Sequence, residues 1–230
     1  MKAQKGGAPV LAPAPIAQSA NADAILDAAE ELFAQKGFAA VTMRMIATES
    51  GQHLASANYY FGSKSGLFEA VFLRLIVPVN KRRAELLAEK AAQSVPTPQD
   101  IVDAYIRPLY ENGDAERAAR KARLIMLFSK QLMSNPDEHK YLQNYYEDVA
   151  RVYITSIKNS MPGISMSDAI WGYNYMISIL VFTLAGKSST AKIPDDFLKS
   201  IDHAEPDEIT IARLSRFVCA GLMSLSHAKA

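Results

Sequence analysis

Cysteine is nearly absent from this chain. Cys219 stands alone, so no internal disulfide can form and no cysteine-rich zinc site can be assembled. Histidine is almost as scarce: His53, His139, His203 and His227 lie far apart, and none has a partner at metal-ligand spacing. The sequence therefore implies no metal and no cofactor. No glycine-rich phosphate loop and no paired acid/base constellation is present, which argues against an enzyme. Excess charge of either sign is also lacking, since 25 Lys and Arg face 24 Asp and Glu for a formal net charge of +1. A nucleic-acid partner would have to be met by local placement of charge.

Strand signals are scarce, and long apolar runs nearly so. The stretch Ala169 to Gly186 carries no charged residue and reaches the shortest length that can span a bilayer. It is interrupted by Gly172, Asn174 and Ser178, holds polar-tipped Trp171, Tyr173 and Tyr175, and has no tight basic flank. It reads as a helix covered on all sides, not as a membrane span. At the N-terminus, Pro9, Pro13 and Pro15 interrupt any signal-peptide core, so residues 1–19 read as a flexible Ala/Pro-rich tail. These features predict a cytoplasmic protein without a membrane partner.

What is present is helix. A hydrophobic fraction of 49% against 21% charged suits a globular chain, and 230 residues suffice for a small module plus a larger domain. Asn21 or Asp23 can cap a first helix whose apolar face is Ile25, Ala28, Ala29, Leu32 and Phe33, ended by Gly37. Thr42 caps a second helix, Met43 to Ser50, closed by Gly51; a third runs from Leu54 to Tyr60. Ser63 caps a fourth, with Leu67, Phe68, Val71, Phe72 and Leu75 inward, in which Pro78 predicts a kink or break. Thr97 followed by Pro98 opens a fifth helix towards Glu111. A sixth ends at Met133, a seventh follows Asn135-Pro136-Asp137, an eighth spans Ser167 to Ala185, and the last spans Asp207 to Leu225. The expected fold is all-α with nine helices, divided into the tail, a DNA-binding domain over 20–66, and a larger helical domain over 67–230.

The informative segment is Thr42 to Lys64. Two short helices joined by a tight turn at Gly51 form a helix-turn-helix, whose second helix fits a major groove about 12 Å wide. His53, Ala55, Ser56 and Asn58 are the candidates for base edges, the small residues allowing close approach. Thr42, Arg44, Tyr59, Tyr60 and Lys64 are the candidates for phosphate or groove contacts, with Lys64 adding charge to the first turn of the fourth helix. Tyr59 and Tyr60 also suit packing, and Phe61 reads as a packing residue.

At these residues the chain closely resembles the TetR family of regulators. The likeness runs through Ile25-Leu26-Asp27-Ala28-Ala29-Glu30-Glu31-Leu32-Phe33, Lys36-Gly37-Phe38 and Thr42-Met43-Arg44-Met45-Ile46-Ala47. It continues through Asn58-Tyr59-Tyr60-Phe61-Gly62-Ser63-Lys64-Ser65-Gly66-Leu67-Phe68. Many members carry histidine where Tyr60 stands and an aliphatic residue where Gln52 stands, departures that bear on operator preference. The resemblance implies a homodimer that binds double-stranded operator DNA and whose larger domain takes up a small-molecule effector. A DNA-binding architectural or adaptor protein without an effector is the alternative.

Beyond residue 80 the residues themselves must carry the reading. Ile170, Tyr173, Ile177, Leu180 and Leu184 make one seam of the eighth helix, and Trp171, Tyr175, Ser178 and Phe182 another. Ile211, Leu214, Val218 and Leu225 repeat at heptad-like spacing in the ninth. The first seam and the heptad set are the expected dimer interface, as two helices per subunit around a two-fold axis; core filling is the other use for them. Tyr105, Arg107, Arg123, Met126, Tyr145, Tyr153 and Asn174 are the candidate effector-binding residues.

Overall fold

The computed structural model describes residues 19–111, 115–134, 143–185 and 207–226. Nine α-helices and no strand occur among them, the architecture expected from the helical periodicity. The chain divides into two compact units, parted between Val71 and Phe72. The connectors expected at Asn135-Pro136-Asp137 and between Lys187 and Glu205 lie outside the described residues.

The first unit contains α1 (Ala20–Ala40), α2 (Met43–Glu49), α3 (Leu54–Phe61) and the start of α4 (Lys64–Ala91). Ser19, not Asn21 or Asp23, caps α1: its Oγ accepts the Ala22 N–H at 3.1 Å. The Ser19 oxygen reaches the first free donors, while Asp23 falls in the first turn and favours the positive end of the helix dipole. Gly37 breaks the helical run at φ 75°, ψ 167°, and a last turn reaches Ala40. Ile25, Ala28, Ala29, Leu32 and Phe33 are all buried, as their spacing predicts. Phe33, Phe38 and Phe68 form an aromatic cluster, with Phe68 4.9 Å from each of the other two ring centroids. Ile46, Ala47, Ala57 and Phe61 supply the buried sides of α2 and α3.

α4 continues through Pro78, so of the kink or break expected there the break does not occur. Proline removes one N–H from the helical ladder. Val77 and Pro78 lie on the exposed side, where water can satisfy the carbonyl left over. Ile76 and Val79 hold the opposite side in the core.

The second unit adds α5 (Pro98–Ile106), α6 (Ala115–Ser134), α7 (Gln143–Ser160), α8 (Met166–Ala185) and α9 (Asp207–Leu225). Thr97 and Asp100 form a reciprocal capping box at the start of α5. Pro108 forces a shorter helix than expected, with a 3-10 turn over Arg107–Leu109. α8 packs against α6, α7 and α9, and α9 packs against α5. A Cβ on Gly172 would meet Leu222 Cδ2 at 2.6 Å, so the glycine allows α8 and α9 to approach closely. Phe72 and Phe128 stack with centroids 3.6 Å apart. Cys219 is buried; burial, with Asp103 adding to it, pushes its thiol pKa up and keeps it unreactive. No helix among the described residues, α8 included, is long and apolar enough to cross a membrane.

Gly66 lies in the first turn of α4, where a Cβ would stand 2.3 Å from the Phe61 carbonyl oxygen. Backbone cannot yield as a side chain can. Gly66→Ala is expected to lower stability by about 1–3 kcal/mol in urea unfolding, because the α3–α4 junction must be forced apart. An unchanged unfolding midpoint would refute that contact.

Candidate nucleic-acid interface

α2 and α3 have seven and eight residues, too short to persist alone, so their placement comes from caps and packing. Thr42 Oγ1 accepts the Met45 N–H at 3.2 Å and opens α2. The turn is closed by Gly51, at φ 66°, and by the Gln52 N–H donating to the Ala47 carbonyl at 3.0 Å. Ala57 is fully buried and Phe61 nearly so, which fixes the rotation of α3 about its axis.

That rotation decides what α3 presents. His53, Ala55, Asn58 and Tyr59 are exposed, Ser56 and Tyr60 half-buried. His53 occupies the N-cap position of α3 without a side-chain capping bond, so its imidazole is not consumed by the helix end. Tyr59 is 84% exposed and meets the Tyr60 ring edge-on at 5.3 Å. An aromatic side chain so fully in water contributes little to packing. Arg44 is exposed on α2 and has no ion pair among the described residues. Seven of the nine expected residues, Arg44, His53, Ala55, Ser56, Asn58, Tyr59 and Thr42, thus lie on α2, on α3 or at the N-caps of these two helices with surface to offer. Tyr60 offers less.

Lys64 is placed differently from the expectation. Its Nζ donates to the carbonyls of Phe38 and Val41, both at 3.1 Å, and lies 4.3 Å from the centre of the Phe38 ring. The side chain is turned inward and ties the start of α4 to the chain between α1 and α2. Ser63, not Lys64, serves the helix end, its Oγ accepting the Gly66 N–H at 3.1 Å.

In the second unit the expected effector residues separate. Tyr105 and Tyr153 are buried and meet edge-on at 4.9 Å. Arg107 is exposed and pairs with Glu208 at 3.5 Å, while Met126 and Asn174 are also exposed, so these three do not join them. Arg123 is half-buried, and the Tyr145 side chain lies outside the described residues. Two groups were missed by sequence reasoning. Arg83 is 4% exposed and lies over the Tyr105 ring at 3.6 Å, and Tyr173 joins the same cluster 6.0 Å from Tyr105. Position along α4 gave no sign that Arg83 turns inward while Arg82 turns out.

The expected dimer seam is mostly turned inward as well. Tyr173, Leu180, Ile211, Leu214 and Val218 are buried within the unit; Ile177 and Leu225 are half-buried, Ile170 is exposed, and the Leu184 side chain is not described. The exposed apolar side is the other one, with Trp171, Tyr175, Phe217 and Met223. α8 is apolar nearly all round, and periodicity alone does not decide which of its seams meets the core.

Residues 25–71 match the family described as bacterial regulatory proteins, tetR family, and residues 103–221 match the tetracyclin repressor-like C-terminal domain. An HTH-type transcriptional regulator in the dhlA 5′ region of Xanthobacter autotrophicus is 30% identical over 136 residues, 59% of this chain and 64% of that protein. The HTH-type regulator BetI of Rhizobium meliloti is 31% identical over 127 residues, 49% of this chain and 60% of BetI. The chain thus spans less than two thirds of either relative. Among solved structures, a tetR-family regulatory protein from Rhodococcus RHA1 is similar with a TM-score of 0.65 at 16% identity, covering 89% of this chain and 98% of that one. The regulator KstR2 of Mycobacterium tuberculosis has a TM-score of 0.60 at 14% identity, covering 90% and 94%. These two likenesses concern the fold.

The inward tie of Lys64 has a measurable consequence. Lys64→Met is expected to lower unfolding stability by about 1–3 kcal/mol, since two hydrogen bonds from a charged donor are lost. Arg44→Ala and Tyr59→Ala are expected to stay within about 0.5 kcal/mol of the parent. Equal stability of all three variants would remove the structural role from Lys64.

Proposed function

The chain belongs to the tetR family of bacterial regulatory proteins, and from that premise we propose that it is a transcriptional repressor. It holds a palindromic operator as a homodimer and releases it when a small organic molecule binds the larger unit. The observation that carries this reading is the outward edge of α3. His53, Ala55, Asn58 and Tyr59 face solvent on a helix whose opposite side is buried at Ala57 and Phe61. Such an edge combines hydrogen-bonding groups for bases with a small residue that lets backbone come close. Ser56 and Tyr60 flank it, and Thr42 and Arg44 face the phosphates.

Exposed apolar surface supports the homodimer. Phe217 is 68% exposed, and Trp171 stacks on Tyr175 at 5.8 Å in open solvent. A groove of about 370 Å³ lies between α8 and α9, lined by Tyr175, Met176, Ile179, Phe217 and Gly221 among others. Large exposed aromatic side chains of this kind need cover, and a second copy supplies it symmetrically. Pairing sets two copies of α3 about 34–36 Å apart, one turn of DNA. An effector that binds the alternative spacing more tightly shifts the population away from DNA.

Selection from random duplexes is expected to yield a palindromic site bound by the dimer. On that site, Asn58→Ala and Tyr59→Ala are each expected to weaken binding by about tenfold or more. Arg44→Ala should weaken it on all sequences alike and reduce the slope of log affinity against log salt by about two, one for each subunit. If a genuine site is bound equally well by Asn58→Ala and Tyr59→Ala, α3 is not the reading helix. Phe217→Asp is expected to turn the dimer into a monomer by sedimentation; a dimer that survives it uses another face.

A further inference from the structure

Arg82 and Arg83 are neighbours on α4 with opposite fates. Arg82 is partly exposed and has Glu85, Glu89 and Glu111 within 3.1 to 3.5 Å. Arg83 is 4% exposed and has no carboxylate at ion-pairing distance among the described residues. Its Nε donates to the Tyr105 carbonyl at 2.9 Å and one terminal nitrogen to Asn80 Oδ1 at 3.0 Å. A guanidinium has five N–H donors, so among the described residues the remaining donors and the positive charge of Arg83 have no anion beside them. Burying such a charge unpaired is costly, and a protein core ordinarily supplies a carboxylate beside it. Here the surroundings are phenols instead. Tyr105 lies under the guanidinium, and Tyr153 and Tyr173 lie 4.9 and 6.0 Å from Tyr105, ring centre to ring centre.

We propose that Arg83, with Tyr105, Tyr153 and Tyr173, is the anion-recognition end of the effector site, and that the effector is an organic monocarboxylate. The inference rests on the reading of the larger unit as an effector-binding domain and adds the chemical class of the effector. A planar carboxylate matches the guanidinium fork, accepting two parallel N–H bonds. Burial, the chief cause, pushes the Tyr153 and Tyr173 hydroxyl pKa values well up, so both phenols stay protonated. The Tyr153 hydroxyl donates to the Arg83 backbone carbonyl at 3.1 Å and holds α4 in place there, while the Tyr173 hydroxyl, hydrogen-bonded to Tyr105, can turn to the acid. Because Arg83 is buried, an acid reaches it only when the helices around it give way. Entry of the ligand and displacement of α4 are therefore one event.

The test uses the full chain and benzoate, phenylacetate and octanoate, each set against its primary amide at equal millimolar concentration. At least one acid should raise the melting temperature and bind about tenfold or more tightly than its amide. Arg83→Met should fold, since it removes an unpaired buried charge, and should lose the preference for acid over amide. Should that variant fail to fold, Tyr173→Phe keeps the ring and removes one donor, and acid affinity should fall several-fold. The proposal is overturned if no acid is preferred to its amide, or if the variant tested keeps the preference of the parent. Operator DNA separates this from the wider reading. Acid that binds through Arg83 without releasing DNA leaves the site standing and removes release by effector. Release of DNA from Arg83→Met by a neutral compound keeps release by effector and overturns the site.

Discussion

The first turn of α4 is the constraint on which the DNA-facing unit depends. Two contacts meet there: the Lys64 ammonium on the carbonyls of Phe38 and Val41, and the backbone of Gly66 against that of Phe61. One ties α4 to the chain that enters α2, the other to the end of α3. Helices of seven and eight residues have no stability of their own to set their direction. Their orientation is inherited from these anchors and from the burial of Ile46, Ala47, Ala57 and Phe61. The solvent-facing edge of α3 is thus the consequence of contacts made on its other side and at its ends.

In the larger unit the organising fact is an excess of apolar helix surface. α8 is nearly uncharged and packs on three neighbours, with Gly172 letting Leu222 and Leu225 of α9 close in. One side of each helix is consumed this way, and aromatic residues remain outside. Against that apolar background the buried charge of Arg83 stands out, held by a backbone carbonyl, an amide oxygen and a ring face. Polar groups within such a core raise specificity only when every one of them is satisfied.

The parts of this molecule legible in the sequence are those set by local chemistry. Thr42, Ser63 and Thr97 declare helix starts because a side-chain oxygen two or three residues before free N–H groups has one good use. The inward faces of α1 and α4 follow from spacing. What was not legible depends on partners distant in the chain. Nothing near Lys64 announces that the carbonyls of Phe38 and Val41 wait for it, and a lysine in a first turn reads equally well as a phosphate anchor. The seams of α8 and α9 were recognisable as two apolar sides, but whether Tyr173 or Tyr175 turns inward is decided by α5 and α7. Pro78 is a breaker by local rule; burial of Ile76 and Val79 beside it overrides that rule.

The inward turn of Lys64 also changes how DNA affinity can be distributed. Over residues 42–64 the charged groups are Arg44 and Lys64 against Glu49. With Lys64 engaged by backbone carbonyls, Arg44 is the cation of that segment left facing solvent without an ion pair. A single copy then offers few counterion-releasing contacts, and tight binding through charge alone is out of reach. In the proposed homodimer, two copies joined rigidly would make the second engagement intramolecular, multiplying the effect of modest contacts without new ones. A weakly charged reading edge of this kind would make DNA binding by that dimer depend steeply on the spacing between copies, the quantity that the proposed effector would alter.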